Sequence, residues 1–194
     1  MEEIELPVSK VDIIISEWMG YFLLYESMLD CVLFARDKYL APGGKMLPDR
    51  AQVFVAAIED EQYKSRKIGF WEDVYGVDMS CLGTAAMKEP LVDSVEGNMI
   101  NTSTCMILDL DLTTMRKEEV EFSNLYSLRV QRDDKVHALV AWFDVQFSKL
   151  QNPVTLSTSP YKKYTHWKQT VFYLDHDLQV AEGDWIKGSI AVRQ

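Results

Sequence analysis

The 194-residue sequence has few cysteines, no excess of basic residues and no long uninterrupted apolar run. Its three cysteines stand far apart and form no CxxC motif or Cys/His cluster, which argues against a disulfide framework and a zinc site. We expect reduced thiols, as in the cytosol or the nucleus. The most apolar stretch, residues 21–35, contains Glu26 and Asp30 and is shorter than the roughly 20 apolar residues of a membrane span. No association with a membrane is therefore predicted.

Acidic residues outnumber basic ones, since 30 Asp and Glu against 20 Lys and Arg give a formal net charge of −10. Proteins that bind nucleic acids usually carry a basic face, so direct binding to nucleic acid is not expected. A negative surface attracts cationic partners, and it also keeps a protein soluble. With 47% apolar and 26% charged residues, the composition is that of an ordered chain with one domain or two small ones.

The first fifty residues have the pattern of an α/β protein. Residues 11–15 form a short apolar run that is typical of a strand buried on both faces of a parallel sheet. Apolar residues then recur at spacings of three and four from Leu24 through Met28 to Leu33, which predicts a helix that ends at the Pro-Gly-Gly turn of residues 41–44. A further short strand is predicted at residues 45–47. One such unit cannot close a sheet, so we interpret it as the end of a larger α/β domain.

From residue 50 onward the pattern favours antiparallel β-structure. Runs of β-branched and aromatic residues predict strands at residues 52–58, 126–130, 136–147, 167–174 and 189–192. Residues 59–95 are mixed: a helix is indicated at 60–70, whereas Trp71 and Tyr75 fit no amphipathic pattern. The expected architecture is an antiparallel sandwich or barrel.

The most informative segment is residues 16–28, in which two glutamates stand among aromatic and aliphatic residues without a basic neighbour. Removing a carboxylate from water is costly unless a partner compensates it. Glu17 follows a predicted buried strand, and ligands gather at the carboxyl ends of strands in open α/β sheets. Gly20 would let the backbone turn back and bring Glu26 opposite Glu17.

Three chemistries use such a pair of carboxylates. A glycoside hydrolase places two carboxylates around a sugar, and a divalent cation could bind, although two oxygen donors without a third make a poor site. A guanidinium is the third possibility, because its planar N–H donors match carboxylates in bidentate pairs. If the carboxylates draw the positive charge to one end, the other nitrogen is free to act as a nucleophile. The spacing alone leaves these open, together with simple pairing of each glutamate to a local arginine or backbone amide.

A second candidate segment is residues 164–169, where His166 stands between a threonine and Trp167. An imidazole can accept a proton near neutral pH, although a lone histidine is more often structural. The sequence suggests no partner for His137 or His176, so we interpret both as structural or surface residues.

Together these motifs resemble those of the type I protein arginine methyltransferases. SEWMGYFLLYESML is similar to the double-glutamate loop of that family, and the THW at residues 165–167 is similar to its threonine–histidine–tryptophan loop. The similarity extends over essentially the whole chain and includes VDIIISEWMG, ARDKYLAPGG, WEDVYGVDMSC, STSP and THWKQTVFYL. The resemblance implies a Rossmann-type domain that binds S-adenosylmethionine, followed by a β-barrel domain with a helical dimerisation arm.

Position by position, the resemblance implies that residues 1–48 are the end of the cofactor domain. Residues 49–194 would form most of the β-barrel domain, with the arm at about residues 61–95. The family's glycine-rich cofactor loop, its ribose-binding acid and the aspartate partner of His166 have no counterpart in the sequence. We therefore expect a fragment that lacks most of the cofactor site and is inactive alone.

The resemblance assigns roles to four residues of the two motifs. Glu17 and Glu26 would be the catalytic clamp on the substrate guanidinium. His166 would belong to a supporting histidine–aspartate pair and assist release of the proton, and Trp167 would line the arginine pocket.

The cofactor, partners and location are also implied by the resemblance. Glu2 would accept a hydrogen bond from the adenine amino group of S-adenosylmethionine, and Met28 would lie near cofactor and substrate. The expected product is asymmetric dimethylarginine in Arg/Gly-rich RNA-binding proteins and histone tails. A homodimer formed through the arm and a location in cytoplasm and nucleus are expected. The alternative is a non-catalytic β-barrel and dimerisation module.

Overall fold

The computed structural model describes residues 3–193. The first part is a strand–helix–strand unit in which the two strands pair in parallel. Its elements are β1 (Val11–Ile15), α1 (Leu29–Tyr39) and β2 (Leu40–Leu47). The predicted helix is confirmed, but it begins at Leu29, so Leu24 and Met28 belong to the preceding loop. None of the helices within residues 3–193 is long and apolar enough to cross a membrane.

Two expectations for this unit are wrong. β1 is not buried on both faces: Ile13 is 55% exposed and Ile15 is 74% exposed. The reason is that, within residues 3–193, β1 pairs with β2 alone. The expected turn at residues 41–44 lies inside β2, which begins where α1 ends. The glycine-rich residues interrupt the pairing there, because its register jumps from Leu40 to Lys45.

The second part is built from antiparallel strands, as the sequence predicts. Six of them form one sheet in the order β4-β9-β7-β3-β5, with β8 on the end of β7, and the remaining two pair with each other. The strands are β3 (Arg50–Ile58), β4 (Leu91–Asp93), β5 (Cys105–Asp111), β6 (Phe122–Arg129), β7 (Asp134–Phe147), β8 (Val154–Ser157), β9 (Gln169–Val180) and β10 (Trp185–Val192). The fold is thus the end of an α/β domain followed by a β-barrel domain, which confirms the predicted fold class.

The main apolar core joins both parts of the chain. Val53 and Val145 of the large sheet share one buried cluster with Leu128 of the β6–β10 pair and with Trp18 and Leu23 from the loop after β1. Burial of this apolar surface is the largest favourable contribution to folding. The loop that carries the two glutamates is therefore anchored on the core of the β-barrel.

Between β3 and β4 the chain forms the helical arm. It consists of α2 (Glu61–Gly69), a 3₁₀ turn (Phe70–Glu72) and α3 (Ser80–Lys88). α2 confirms the helix that the sequence indicates at residues 60–70. Phe70 is 51% exposed and Tyr75 is 99% exposed. Tyr75 fits no amphipathic pattern because its side chain packs against nothing within the described part of the chain.

Candidate active site

Residues 16–28 form a loop between β1 and α1 that turns back on itself. The Gly20 N–H donates to the Leu23 carbonyl at 3.0 Å, and the two residues form an isolated antiparallel bridge. Glu17 lies three residues before Gly20, and Glu26 lies three residues after Leu23. Glu17 therefore lies on one limb of this turn and Glu26 on the other.

Gly20 is needed for this turn because another part of the loop passes very close to it. A Cβ built on Gly20 would lie 1.8 Å from the carbonyl oxygen of Tyr25. The backbone on the far side of the turn is strained, since non-glycine residues rarely adopt a positive φ. Four of them do so here: Phe22, Leu23, Glu26 and Ser27. Burial of Trp18 and Leu23 in the core holds the loop in this conformation.

Both carboxylates are exposed, and neither forms an ion pair with residues 3–193. Glu17 accepts a hydrogen bond from the Met19 N–H at 3.2 Å, and no lysine or arginine among residues 3–193 pairs with Glu17 or Glu26. Of the alternative in which each glutamate pairs with a local arginine or a backbone amide, the arginine half is not met within residues 3–193, whereas Glu17 does pair with the backbone amide of Met19. Their oxygens are open to an external cation.

Residues 165–168 form a tight turn that presents the second motif. The Lys168 N–H donates to the Thr165 carbonyl at 3.0 Å and closes the turn. His166 is exposed, whereas Trp167 is only 9% exposed. The two rings lie against each other with their centroids 3.9 Å apart. His166 therefore sits at the surface on a firmly held indole.

The two motifs meet although 148 residues separate the atoms that join them. The Trp167 indole N–H donates to the Met19 carbonyl at 2.7 Å, two residues beyond Glu17. Phe22 adds an edge-to-face contact with Phe172 of β9 at a centroid distance of 5.4 Å. The predicted pocket-lining residue Trp167 is thus also the residue that fastens the double-glutamate loop.

A cleft of about 640 Å³ runs beside this junction. Glu26 lines it together with Tyr21 and Tyr25 of the loop, whereas Glu17 and His166 are not among its lining residues. Met28, at the end of the loop, is 37% exposed. Glu2, the other residue that the resemblance assigns to cofactor binding, lies outside the described residues.

Three buried polar atoms beside the motifs lack a hydrogen-bond partner within residues 3–193. They are Ser16 Oγ, Trp18 Nε1 and Thr165 Oγ1. Buried polar groups in folded proteins are nearly always paired, and exceptions point to an absent ligand, water or further residues. They flank Glu17 on both sides and precede His166. Hydrogen-bonding capacity is therefore left over at both motifs, as it is at Asp30, Asn101, His137 and Asp144 elsewhere within residues 3–193.

Sequence reasoning also missed the contacts that connect the second motif to β4 and the residues after it. Lys168 Nζ lies 3.0 Å from Asp93 Oδ1 of β4, and the Val95 N–H donates to Gln169 Oε1 at 2.7 Å. The hydrogen bond from Lys168, together with one from the Ser94 backbone, holds the pKa of Asp93 below its ordinary value. No spacing could have indicated these pairs, because they join distant parts of the chain.

A separate polar cluster lies where β3 leads into the helical arm. His137, 1% exposed, lies between Glu59 and Asp177, with a nitrogen–oxygen distance of 3.8 Å on each side. Among the described residues, Glu59, Glu61 and His137 are the one group whose composition could suit a metal ion. His137 Nδ1, however, accepts the Asp60 N–H at 3.0 Å, so its lone pair is already used. This bond supports the structural interpretation of His137.

Comparison with known proteins gives the family. Residues 49–194 match the family model of the arginine methyltransferase oligomerization subdomain. Protein arginine N-methyltransferase 1 of Schizosaccharomyces pombe is 59% identical over 193 residues, which cover 100% of this chain and 57% of the relative. The protein of the same name from Dictyostelium discoideum is 55% identical, with 98% and 56% covered. The chain therefore spans little more than half the length of these relatives.

Solved structures agree with this assignment. A chain of the Trypanosoma brucei PRMT1 enzyme-prozyme heterotetrameric complex with AdoHcy superposes with a TM-score of 0.94 at 43% identity, covering 98% of this chain and 60% of that one. Protein arginine methyltransferase 10 of Arabidopsis thaliana gives a TM-score of 0.81 at 32% identity, with 96% and 61% covered. From the matched family model, the relatives and the shared fold, this chain belongs to the protein arginine methyltransferase family.

Proposed function

We propose that this chain forms the substrate-clamping half of a protein arginine N-methyltransferase that uses S-adenosylmethionine. The observation that carries the proposal is the 2.7 Å hydrogen bond between Trp167 and Met19, which joins the two motifs at one place. Its support includes Glu17 and Glu26, whose carboxylates have no internal ion pair in the described part of the chain. The names of the relatives point to the same reaction.

The residues of the chain suit methyl transfer to a guanidinium. Glu17 and Glu26 accept N–H bonds from the substrate arginine and draw its positive charge towards them, which leaves the remaining nitrogen electron-rich. Bound S-adenosylmethionine supplies an electrophilic methyl group. Methyl transfer to this nitrogen would depend on alignment more than on acid–base help, and the two carboxylates would provide that alignment by fixing the guanidinium. His166 assists departure of the proton from the methylated nitrogen.

The residues present fit one edge of such a cofactor. Ser16 Oγ and Trp18 Nε1, which have no hydrogen-bond partner within residues 3–193, offer hydrogen bonds beside Glu17, and Met28 offers a partly exposed thioether. Glu2 would bind the adenine amino group. The other cofactor-binding residues would come from outside this chain.

The product, partners and location are proposed on the same basis. The product is asymmetric dimethylarginine, and the substrates are basic Arg/Gly-rich proteins and histone tails, which the net charge of −10 would attract. The protein forms a homodimer through the arm, whose Tyr75 is almost fully exposed. It acts in cytoplasm and nucleus, where the free cysteines remain reduced.

The test is a methylation assay on the full-length protein that carries this sequence. With an Arg/Gly-rich peptide and S-adenosylmethionine, mass spectrometry should detect asymmetric dimethylarginine. Glu26→Gln keeps the side-chain volume and should lower turnover by about 10²–10³-fold. The exposed Glu182→Gln variant is the control and should retain full turnover. Near-normal turnover of Glu26→Gln, with both proteins folded, would contradict the clamp.

The second candidate is a non-catalytic oligomerisation module. The observation that favours it is the matched family model, which describes an oligomerization subdomain over residues 49–194. Calorimetry with S-adenosylmethionine separates the two candidates. The module predicts no binding heat for the full-length protein, whereas the enzyme predicts saturable binding.

A further inference from the structure

Lys168 holds a backbone conformation that its side chain does not favour. Its φ is +52°, in the left-handed region that residues other than glycine, asparagine and aspartate rarely occupy. It closes the turn that begins at Thr165 and directly follows Trp167. Strain of this kind persists where surrounding contacts fix it, and it is concentrated at functional sites.

The contacts that fix Lys168 come from the strand on which the chain returns from the arm. Its ammonium lies 3.0 Å from the Asp93 carboxylate of β4, and Asp93 pairs in register with Gln169 of β9. Gln169 adds two buried hydrogen bonds, to the Val95 N–H and to the Thr158 carbonyl, each at 2.7 Å. The turn at residues 165–168 is thus joined, at adjacent residues, to β4, the strand that follows the arm.

The ion pair contributes geometry more than stability. The Lys168 side chain is 32% exposed and that of Asp93 is 41% exposed, and pairs of this kind contribute little to the free energy of unfolding. Their mutual hydrogen bond raises the pKa of Lys168 and lowers that of Asp93, so both groups are charged at neutral pH. The pair is therefore present under the conditions in which an enzyme in the cell works.

The contacts continue from Lys168 to the carboxylates. Trp167, the next residue back along the chain, donates its indole N–H to the Met19 carbonyl, and the Met19 N–H in turn donates to Glu17. Three consecutive contacts therefore lead from Asp93 to the carboxylate of Glu17. A change at the first contact can move the last one.

We propose that Lys168 is a positioning residue for arginine methylation. Its ion pair with Asp93 connects the turn at residues 165–168 to β4, the strand that follows the arm, and thereby sets the position of the double-glutamate loop. This rests on the proposed function. Loosening the pair leaves the chain folded and the carboxylates present, but it displaces Glu17 relative to the substrate. Because in-line transfer is sensitive to displacements well below the size of a residue, turnover falls before binding does.

The experiment uses the full-length protein with the variants Lys168→Met and Lys168→Gly. Methionine removes the charge and keeps the strain, whereas glycine removes the charge and relieves the strain. We expect both to lower kcat about tenfold with KM within about twofold of wild type. Lys168→Arg, which keeps the pair, should remain near wild type. Lys163→Met removes the same charge from an exposed residue nearby and is the matched control.

Two further measurements separate positioning from other roles. The exchanged pair Lys168→Asp with Asp93→Lys should recover most of the kcat that either change loses alone. Hydrogen exchange of peptides covering residues 17–28 should be faster in Lys168→Met than in wild type or Lys163→Met. Wild-type kcat in both Lys168→Met and Lys168→Gly, or unchanged exchange, would overturn the positioning role. If the wild-type protein transfers no methyl group, the proposed function fails, and the exchange measurement alone decides whether Lys168 holds the loop.

Discussion

The core of the β-barrel and the two candidate site segments, residues 16–28 and 164–169, differ in how closely their residues keep to local backbone preferences. In the core, Leu128 and Val145 are fully buried. Leu128 lies on β6, where polar and apolar residues are interspersed, and Val145 lies on β7, whose residues are mostly apolar and buried. In the site segments, Glu26 and Lys168 have positive φ values, and Trp18 keeps a buried indole N–H without a partner in the described part of the chain. The apolar positions of the core keep to local backbone preferences, whereas the site segments depart from them at Glu26 and Lys168.

The residues that keep the chain folded therefore differ from the residues that are proposed to act in methyl transfer. Violations of local preference cost free energy, so they persist only where surrounding packing holds them. The core provides this packing, since Trp18 and Leu23 of the strained loop belong to the same buried cluster as the sheets. Changes in the core should therefore affect stability first, and changes in the loops should affect turnover first.

The largest expected effect is on core stability. Leu128→Ala leaves a cavity at a fully buried position of β6 and should lower the free energy of unfolding by about 2–5 kcal/mol. Leu125→Ala on the same strand is the control, because Leu125 is 81% exposed and its loss should cost under about 0.5 kcal/mol. Denaturant unfolding of the full-length protein measures both. Equal losses would show that the β6–β10 pair does not cover the core.

The next effect tests the loop alone. Gly20→Ala forces a Cβ to within 1.8 Å of the Tyr25 carbonyl oxygen, so the turn must open and separate the carboxylates. We expect turnover to fall by about 10²-fold with a much smaller change in the unfolding midpoint. Gly69→Ala is the matched control, since its Cβ would lie 3.9 Å from the nearest atom, Ser65 Oγ. A normally active Gly20→Ala protein would break the distinction between core and loop.

A smaller effect concerns a buried pair at the root of the arm. The Tyr173 hydroxyl donates to Asp60 Oδ2 at 2.6 Å, and burial raises the pKa of Asp60, an effect that this hydrogen bond opposes. A carboxyl whose pKa is raised on folding stabilises the fold at low pH and loses that contribution as the pH rises. Without the hydrogen bond from the Tyr173 hydroxyl, the pKa of Asp60 rises further. Tyr173→Phe should therefore cost about 1–3 kcal/mol at pH 7 and less at pH 4.

The control for this prediction is Tyr63→Phe, because the Tyr63 hydroxyl donates no hydrogen bond among residues 3–193. Unfolding curves at both pH values measure the difference. An equal loss at both pH values would show that Asp60 stays neutral in the folded protein, and a larger loss at pH 4 would show that the Tyr173 hydroxyl stabilises the protonated acid instead of the carboxylate.

The smallest effect on the stability of one chain is expected at the tip of the arm. Tyr75 is 99% exposed, so Tyr75→Ala should change the free energy of unfolding of a monomer by less than about 0.5 kcal/mol. If the arm forms the proposed homodimer, the same change should weaken self-association in sedimentation experiments. Leu125→Ala serves again as an exposed control on the barrel. Unaltered association would exclude Tyr75 from the dimer contact.

Long strands were predictable because their signal is local. The runs at residues 52–58 and 136–147 lie within β3 and β7, whose apolar composition suits the centre of a sheet. The sequence patterns do not predict the short strands β4 and β8 or the strand β5. The helix start was also misplaced, because the spacing from Leu24 to Leu33 continues through a loop that positive φ values bend away from helix.

The sequence by itself determined the class of the fold and the two motifs, because periodicity and residue type act over a few neighbouring positions. Only the tertiary structure decided that Trp167 fastens onto Met19 and that Lys168 pairs with Asp93, across 148 and 75 positions of the chain. Contacts at such separations depend on how strands of the barrel stack and cross, which no local pattern specifies. The two glutamates are therefore visible in the sequence, whereas the contacts that hold their loop become visible only after folding.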